Sequence, residues 1–505
     1  MHFIMAVLPI FVLMITLLAF KWPAKYASML TFAVTLTEFA VIYKPGMAGA
    51  LITLEKGAVM AVYMGIIAFG AMMLYNLVDL SGGFQAINKI LTGIFEDRFV
   101  LFLMMCWTLT AFLQGIAGYG LPAVIASTIL IKAGYQPVKC AAAALLGHSC
   151  YISFGTMGSS IYGIDMVTDT PIREILIAMS EYGSIGILCC GLGVCFIYGG
   201  ISYAVKGLKY VIPVWLAMSA SLYFLASLEM VSVIGFITGI VGIVTMILTY
   251  RILSRKKFPQ IDRADRVNLL KGMLPYILVI IMSLGFFILN PGIKFSFSFP
   301  GYETGLGFIV EPEENYVTFN LLKYPFTIIL AATVISLMVY QKSDTLKFSA
   351  IRTIVQKSWK KVFATEITLF MLLCTSSMMM DGGMILNLAN AIVNVTGQTY
   401  PFMAAVLGTT GTFITGTNTN SNILFGSLQE TAAINMALPP AFMCGVQSIS
   451  GSVAGAIGPT TTSLTAAATG NGGNESAIYR YTLIPTIVSM CVLGIMNVII
   501  MHLFL

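Results

Sequence analysis

The chain has 505 residues, 58% hydrophobic and only 10% charged, with a mean hydropathy of +0.90. Soluble domains carry about 25% charged residues, so a water-soluble fold is set aside and the chain reads as an all-α polytopic membrane protein. The net charge of +6 fits cytoplasmic loop bias rather than nucleic-acid binding, and the nine Cys are scattered without metal-ligand spacing.

Phe3 to Phe20 is a first span, without the basic start and small-residue cleavage site of a signal peptide. Lys21 to Lys25 is a basic turn, Tyr26 to Tyr43 a second span and Gly57 to Val78 a third. Asp79 to Arg98 is a mixed-charge connection with a surface helix around Phe84 to Ile94. Phe99 to Ile131 is interrupted: Gln114 to Pro122 reads Q-G-I-A-G-Y-G-L-P, a composition that predicts a broken helix or hairpin tip. Pro137 opens the span Val138 to Phe154, and a small-residue segment runs from Gly155 to Ser160. Asp165, Asp169, Arg173, Glu174 and Glu181 mark an aqueous loop. Tyr182 to Val205, Tyr210 to Leu228 and Val231 to Tyr250 complete an N-terminal half, residues 1–250.

The loop 251–271 carries seven Lys/Arg against Asp262 and Asp265 and reads as cytoplasmic. The C-terminal half, 272–505, opens with the span Gly272 to Leu289. Asn290 to Lys323 is an acidic loop that suits the outside. Tyr324 to Tyr340 returns to a second basic connection, Gln341 to Lys361, and Val362 to Met380 spans outward. Met384 to Val395 is short of the about 20 residues a span needs. A second interrupted segment runs from Pro401 to Leu438. Ala441 to Ile457, a polar small-residue run from Pro459 to Glu475 and a last span, Tyr481 to Phe504, follow. The sum is about 12–14 membrane segments.

Thr412 to Asn422, T-F-I-T-G-T-N-T-N-S-N, places five hydroxyls and three amides in eleven residues of apolar surroundings, with no acid or base. Alternating sides away from the basic loops makes the first hairpin, near 99–131, start and end inside. The second, near 401–438, starts and ends outside. Ala111 to Gly115 resembles Thr412 to Gly416, Pro137 lies beside Pro439, and Phe154 to Ser160 beside Ala454 to Thr460, each about 300 residues apart. The arrangement reads as two inverted-topology repeats containing broken helices or re-entrant hairpins, the plan of many secondary transporters.

Broken helices meeting within a membrane expose N-terminal N–H groups and the positive dipole end, which suits an anion. The hydroxyls of Thr415, Thr417, Thr419 and Ser421 and the amides of Asn418, Asn420 and Asn422 can donate to a carboxylate. Gly115, Gly118, Gly120 and Gly416 permit turns and close approach, and Gln114 is a candidate pocket residue. The competing reading is helix packing through small and hydroxyl residues. His148 and Glu430 are titratable groups in apolar surroundings and candidates for proton coupling; a neutral, backbone-bonded histidine and a loop acid are the bland alternatives. No nucleotide-binding loop, haem pattern or nucleophile–base pair stands out, so neither a primary pump nor an enzyme is expected, and no cofactor or metal.

At these motifs the chain resembles the bacterial lactate permease family, over nearly its whole length. Gly118-Tyr119-Gly120-Leu121-Pro122 takes the place of a G-F-G-T/S-P-like motif. Thr415 to Asn422 takes that of T-G-S-D-T-S-S-N, followed by Leu424-Phe425-Gly426-Ser427-Leu428-Gln429 and the tail Ala466 to Gly470. The resemblance implies uptake of L-lactate, D-lactate or glycolate with protons across the bacterial inner membrane. The substrate carboxylate would meet Thr417 to Asn422, and its hydroxyl Gln114 or Thr415. Two positions depart from the family pattern: Asn418 stands where Asp is frequent, and Leu121 where a hydroxyl is usual. The departures leave a sodium-coupled carrier of another small carboxylate as the alternative, with a channel behind it.

Overall fold

The computed structural model describes residues 2–20, 22–118, 120–255, 262–289 and 292–503. The centre of the basic loop and Tyr119 of the first glycine motif lie outside these residues.

In hydrocarbon every backbone polar group needs a partner within the protein, so apolar sequence folds as helix. The first set of helices is α1 (His2–Leu18), α2 (Ala24–Glu38, continued by a π turn at Phe39–Tyr43), α3 (Gly46–Leu80) and α4 (Gly83–Ile94). It goes on with α5 (Arg98–Leu103) and α6 (Thr110–Ile116), which a π turn at Met104–Leu109 joins. Next come α7 (Leu121–Lys132), α8 (Pro137–Ser149), α9 (Ser159–Asp165) and α10 (Ile172–Gly199). Two further helices follow, α11 (Ile201–Ser227) and α12 (Val231–Ser254). The C-terminal part then holds α13 (Arg263–Leu289), α14 (Pro325–Lys342), α15 (Ala350–Asp381), α16 (Met384–Thr396), α17 (Tyr400–Thr415), α18 (Asn418–Asn435), α19 (Pro440–Ala454), α20 (Pro459–Ala468) and α21 (Glu475–His502). Among the described residues ten helices are long and apolar enough to cross a membrane, or eleven with α15, which bends by 46° between Phe363 and Thr365.

Several helix contacts come in matched pairs. α10 lies on α19 as α21 lies on α8; α18 meets α9 as α7 meets α20; α13 meets α4 as α1 meets α16. α3 and α15 run antiparallel along each other. Their contacts pass from Thr53 and Asp381, through Gly57 against Cys374 and Gly65 against Glu366, to Asn76 and Ser358.

One face gathers the basic connections. Lys89 pairs with Asp265 at 2.8 Å, Arg98 Nη2 donates to Gly134 O at 2.9 Å, and Lys139 Nζ donates to Tyr198 O at 2.9 Å. Tyr135 returns a bond to Arg98 O at 2.8 Å, so the two ends of the segment 98–135 are tied together. Clustered Lys and Arg of this kind are what the positive-inside rule associates with a cytoplasmic face.

The opposite face carries the only strands among the described residues. β1 (Lys294–Phe299) pairs antiparallel with β4 (Glu313–Asn320), and β2 (Tyr302–Glu303) with β3 (Ile309–Val310). Lys-Phe-Ser-Phe-Ser-Phe alternates with the two-residue period of a strand, so the acidic loop of the sequence reading is in part a small sheet. Two other differences lie nearer the centre. α8 ends at Ser149 rather than Phe154: the chain passes into tight turns, with Tyr151 N on His148 O at 3.1 Å and Ile152 N on Ser149 O at 3.2 Å, and then turns through positive φ at Thr156, Met157 and Gly158. Serines of α19 bond to that turn: Ser452 Oγ accepts from Ser153 N at 3.0 Å, and Ser153 Oγ donates to Ser448 O at 2.8 Å. The polar run 459–475 contains α20, which starts on Pro459 and ends in three alanines.

The sheet is fastened to α3 and α15 by charge. Lys56, 1% exposed, reaches Glu313 Oε1 at 2.9 Å and Asp381 Oδ1 at 3.4 Å, and Thr53 and Tyr302 donate to Asp381 Oδ2 at 2.7 and 3.1 Å. Burial pushes the Glu313 carboxyl above its ordinary range although the Lys56 ammonium pulls the other way. Removing one partner of a buried pair strands the other charge, at about 3–5 kcal/mol. Lys56→Met should therefore lower the thermal midpoint of the purified protein markedly. The pair of changes Lys56→Met and Asp381→Asn should recover much of that loss in the same unfolding measurement.

Candidate functional site

The broken segments meet around one internal cavity of about 100 Å³, room for several heavy atoms, since one water needs about 10–15 Å³ on this scale. In the second hairpin α17 stops because Gly416 takes the left-handed conformation, φ 77°, and its N–H bonds to Thr412 O at 2.9 Å. α18 starts two residues later, with Thr417 as N-cap accepting from Asn420 N at 3.2 Å. In the first hairpin α6 ends at Ile116, Ala117 is extended, and Gly120 at φ 74° leads into α7.

Gly120, Ser159, Ser160, Thr417 to Asn420 and Thr461 all line the cavity. They stand at or within the first turns of α7, α9, α18 and α20, so four helix N-terminal turns border one small space. Each leaves backbone N–H groups without an intrahelical acceptor and carries a partial positive charge of about half a unit. Gln114, His148, Thr156, Thr365, Glu366 and Thr412 complete the polar wall, with Met64, Ala68, Ile152 and Leu369 as the apolar part. Among the described residues no Lys or Arg is in this lining, so the positive potential there comes from backbone N–H groups and helix starts.

Of the residues the sequence singled out, Gln114, Gly120, His148, Gly416, Thr417, Asn418, Thr419 and Asn420 come together on this wall. Gln114 is buried and its Oε1 has no hydrogen-bond partner among the described residues. His148 Nδ1 donates to Leu145 O at 2.7 Å, which fixes the tautomer and leaves Nε2 as the second ring nitrogen. Asn418 is held from both sides: Nδ2 donates to Ser153 Oγ at 2.9 Å and Oδ1 accepts from Thr412 Oγ1 at 3.3 Å. Thr419 and Ser160 share a hydroxyl bond of 2.8 Å across the two halves.

The other residues singled out lie behind the wall. Gly115 packs against the backbone of Gly235 and Phe236, where a Cβ would collide. Gly118 N donates to Thr156 Oγ1 at 3.1 Å. Thr415 bonds Gly411 O and Thr417 O, and Ser421 bonds Gly408 O and Gln447. Asn422 Nδ2 reaches Ser160 O and Ser448 Oγ, both at 2.9 Å. These groups close the tips rather than face the space between them.

Glu430 is farther off, at the outer end of α18. Its carboxylate accepts from Asp169 N, Thr170 N at 2.7 Å and Thr170 Oγ1 at 2.5 Å, so it fastens the loop before α10. Glu366 is a wall residue that the sequence reading passed over. An acid inside the apolar run Val362 to Met380 was the available signal. Hydrogen bonds to a charged group contribute about 1.5–3 kcal/mol each. Glu430→Gln should accordingly lower the thermal midpoint of the protein, with proteolysis of the loop 165–171 rising in parallel.

A family model described as L-lactate permease matches residues 2–504. The chain is 29% identical to an L-lactate permease of Streptococcus iniae, over 87% of this chain and 92% of that protein. It is 24% identical to an L-lactate permease of Bacillus subtilis, over 90% and 88%. To the glycolate permease GlcA of Escherichia coli it is 23% identical, over 99% and 96%. The crystal structure of the Alcanivorax borkumensis YdaH transporter is similar in fold, with a TM-score of 0.50 at 12% identity over 94% of this chain and 98% of that one.

Proposed function

We propose that this chain, which belongs to the L-lactate permease family, is a secondary carrier that takes a small 2-hydroxy monocarboxylate, L-lactate first, into the cell with protons. The observation that carries the reading is the small cavity ringed by helix N-termini and hydroxyls without a Lys or Arg. Free N–H groups and dipole ends hold one negative charge without a counter-ion that would trap it. The relatives' names point to lactate and glycolate, which share a carboxylate with a hydroxyl on the next carbon.

In this reading the carboxylate sits on the N-terminal turn of α18, at Thr417 to Asn420. The 2-hydroxyl donates to Gln114 Oε1, a buried acceptor that has no partner among the described residues. Met64, Ala68 and Leu369 receive the short apolar end. The remaining candidates, among them Gly115, Gly118, Thr415, Ser421 and Asn422, keep the two tips in shape.

The repeated succession of helices supports an inverted-topology repeat, with α1–α10 and α13–α21 as its halves and a hairpin in each. Rocking or sliding of the hairpin-bearing parts against α3 and α15 would open the cavity to either side in turn. A multi-pass protein of the bacterial inner membrane is the setting this implies.

Proteoliposomes holding the purified chain test the reading. Labelled L-lactate should accumulate under an inward proton gradient, and unlabelled lactate and glycolate should compete better than dicarboxylates. Uptake driven by sodium and indifferent to the proton gradient would favour the alternative coupling ion; lactate neither taken up nor competed would sink the substrate assignment. Asn418→Ala should cut uptake at least tenfold, about 1.4 kcal/mol in binding terms, at normal protein level. Wild-type uptake by that variant would remove Asn418 from the site.

A further inference from the structure

We propose that Glu366 is the group that takes up and releases the proton carried with the substrate, an assignment that rests on the transport reading above. Among the described residues Glu366 is the one acid on the wall of the cavity, and His148 is the one other titratable side chain there. No hydrogen bond or ion pair holds its carboxylate among the described residues, unlike Glu430, Glu313 and Asp381, each of which is bonded. It follows directly on the bend of α15 at Phe363 to Thr365. It lies between the two ends of the antiparallel α3–α15 pair, against Gly65, where a Cβ would collide with Oε2. Gly65 holds the place in α3 that Glu366 holds in α15, about 300 residues on. The matched helices thus leave room for a single carboxylate where they cross.

The charged groups on the neighbouring helices are engaged or directed elsewhere. On α3, Lys56 is paired with Glu313 and Asp381, Glu55 is exposed, and Asp79 is near the far end. On α2, Lys25 is at the start of the helix, and Glu38 faces a separate cavity between α1 and α2. On α18, Glu430 fastens the loop before α10. α16 has no charged residue.

A monocarboxylate entering this cavity brings a second negative charge beside an unpaired one, in a space with little water. Like charges at such range disfavour the doubly ionised state. Anion binding therefore favours proton binding at Glu366, and by linkage proton binding favours the anion. On the outer side the carboxylate takes one proton as the anion enters. On the inner side the anion leaves and the proton follows to the cytoplasm. One proton moves with one monovalent anion, and no net charge crosses.

Glu366→Gln mimics the protonated acid and cannot release it. In proteoliposomes this variant should lose accumulation under a proton gradient by at least tenfold and show no internal acidification coupled to lactate. Counterflow exchange of labelled lactate should persist at a measurable rate and no longer depend on pH between 6 and 8, about the range of interest for proton-driven uptake. Glu366→Asp should restore part of the accumulation. Elution and thermal midpoint of both variants establish that they are folded. Accumulation by Glu366→Gln with the unaltered proton dependence would overturn the assignment alone. Loss of exchange together with accumulation in both folded variants would also overturn it, by making Glu366 a substrate ligand. Absence of uptake by the unaltered chain would instead sink the transport reading, and the assignment with it.

Discussion

The need to satisfy backbone polar groups away from water shapes this molecule more than any other constraint. A continuous helix meets it without help; an interrupted one does not. The chain interrupts its helices after Ile116, at Cys150 to Gly158, at Gly416 to Thr417 and near Gly458. The breaks are closed partly from other segments and partly locally. Ser448 and Ser452 serve the turn after α8, Thr156 Oγ1 accepts from Gly118 N, and Thr415 and Thr461 donate to Thr417 O and Gly458 O beside them. The polar residues that stand out in the apolar chain thus have two kinds of work. One group seals the breaks, and the other faces the space that the breaks enclose.

That division explains what was legible beforehand. The polar tip at Thr412 to Asn422 was visible because hydroxyls, amides and glycine have no other use in hydrocarbon. The assignment of individual residues within it was not, because Thr415 and Thr417 differ in role only through the turn at Gly416. Gln114 and its neighbour Gly115 differ likewise: one side chain reaches the cavity, and the other position is pressed on the backbone of α12. The basic connections marked one face, and contacts among residues 89–98, 134–139 and 251–271 gather there as charge bias suggests.

Other features were hidden for identifiable reasons. The small sheet at 294–320 was read as a loop, since two-residue alternation over six positions is brief beside the spans around it. The early end of α8 lies in a run of tight turns after Ser149, followed by positive φ at Thr156 and Met157, none of which residue type announces. Glu366 was within reach. A segment-level reading took its surroundings as a plain span, whereas a residue-level one would have asked why an acid is there.

The fastening of the sheet has a mechanical side. Lys56, Asp381, Glu313, Tyr302 and Thr53 bind the outer ends of α3 and α15 to each other and to the strands. At the other end Asn76 and Ser358 join the same two helices. α15 is thus clamped at both ends, and its 46° bend lies between the clamps, beside the cavity. A rod held at both ends cannot tilt freely; what freedom it has is concentrated at the joint, and that joint is one residue from Glu366.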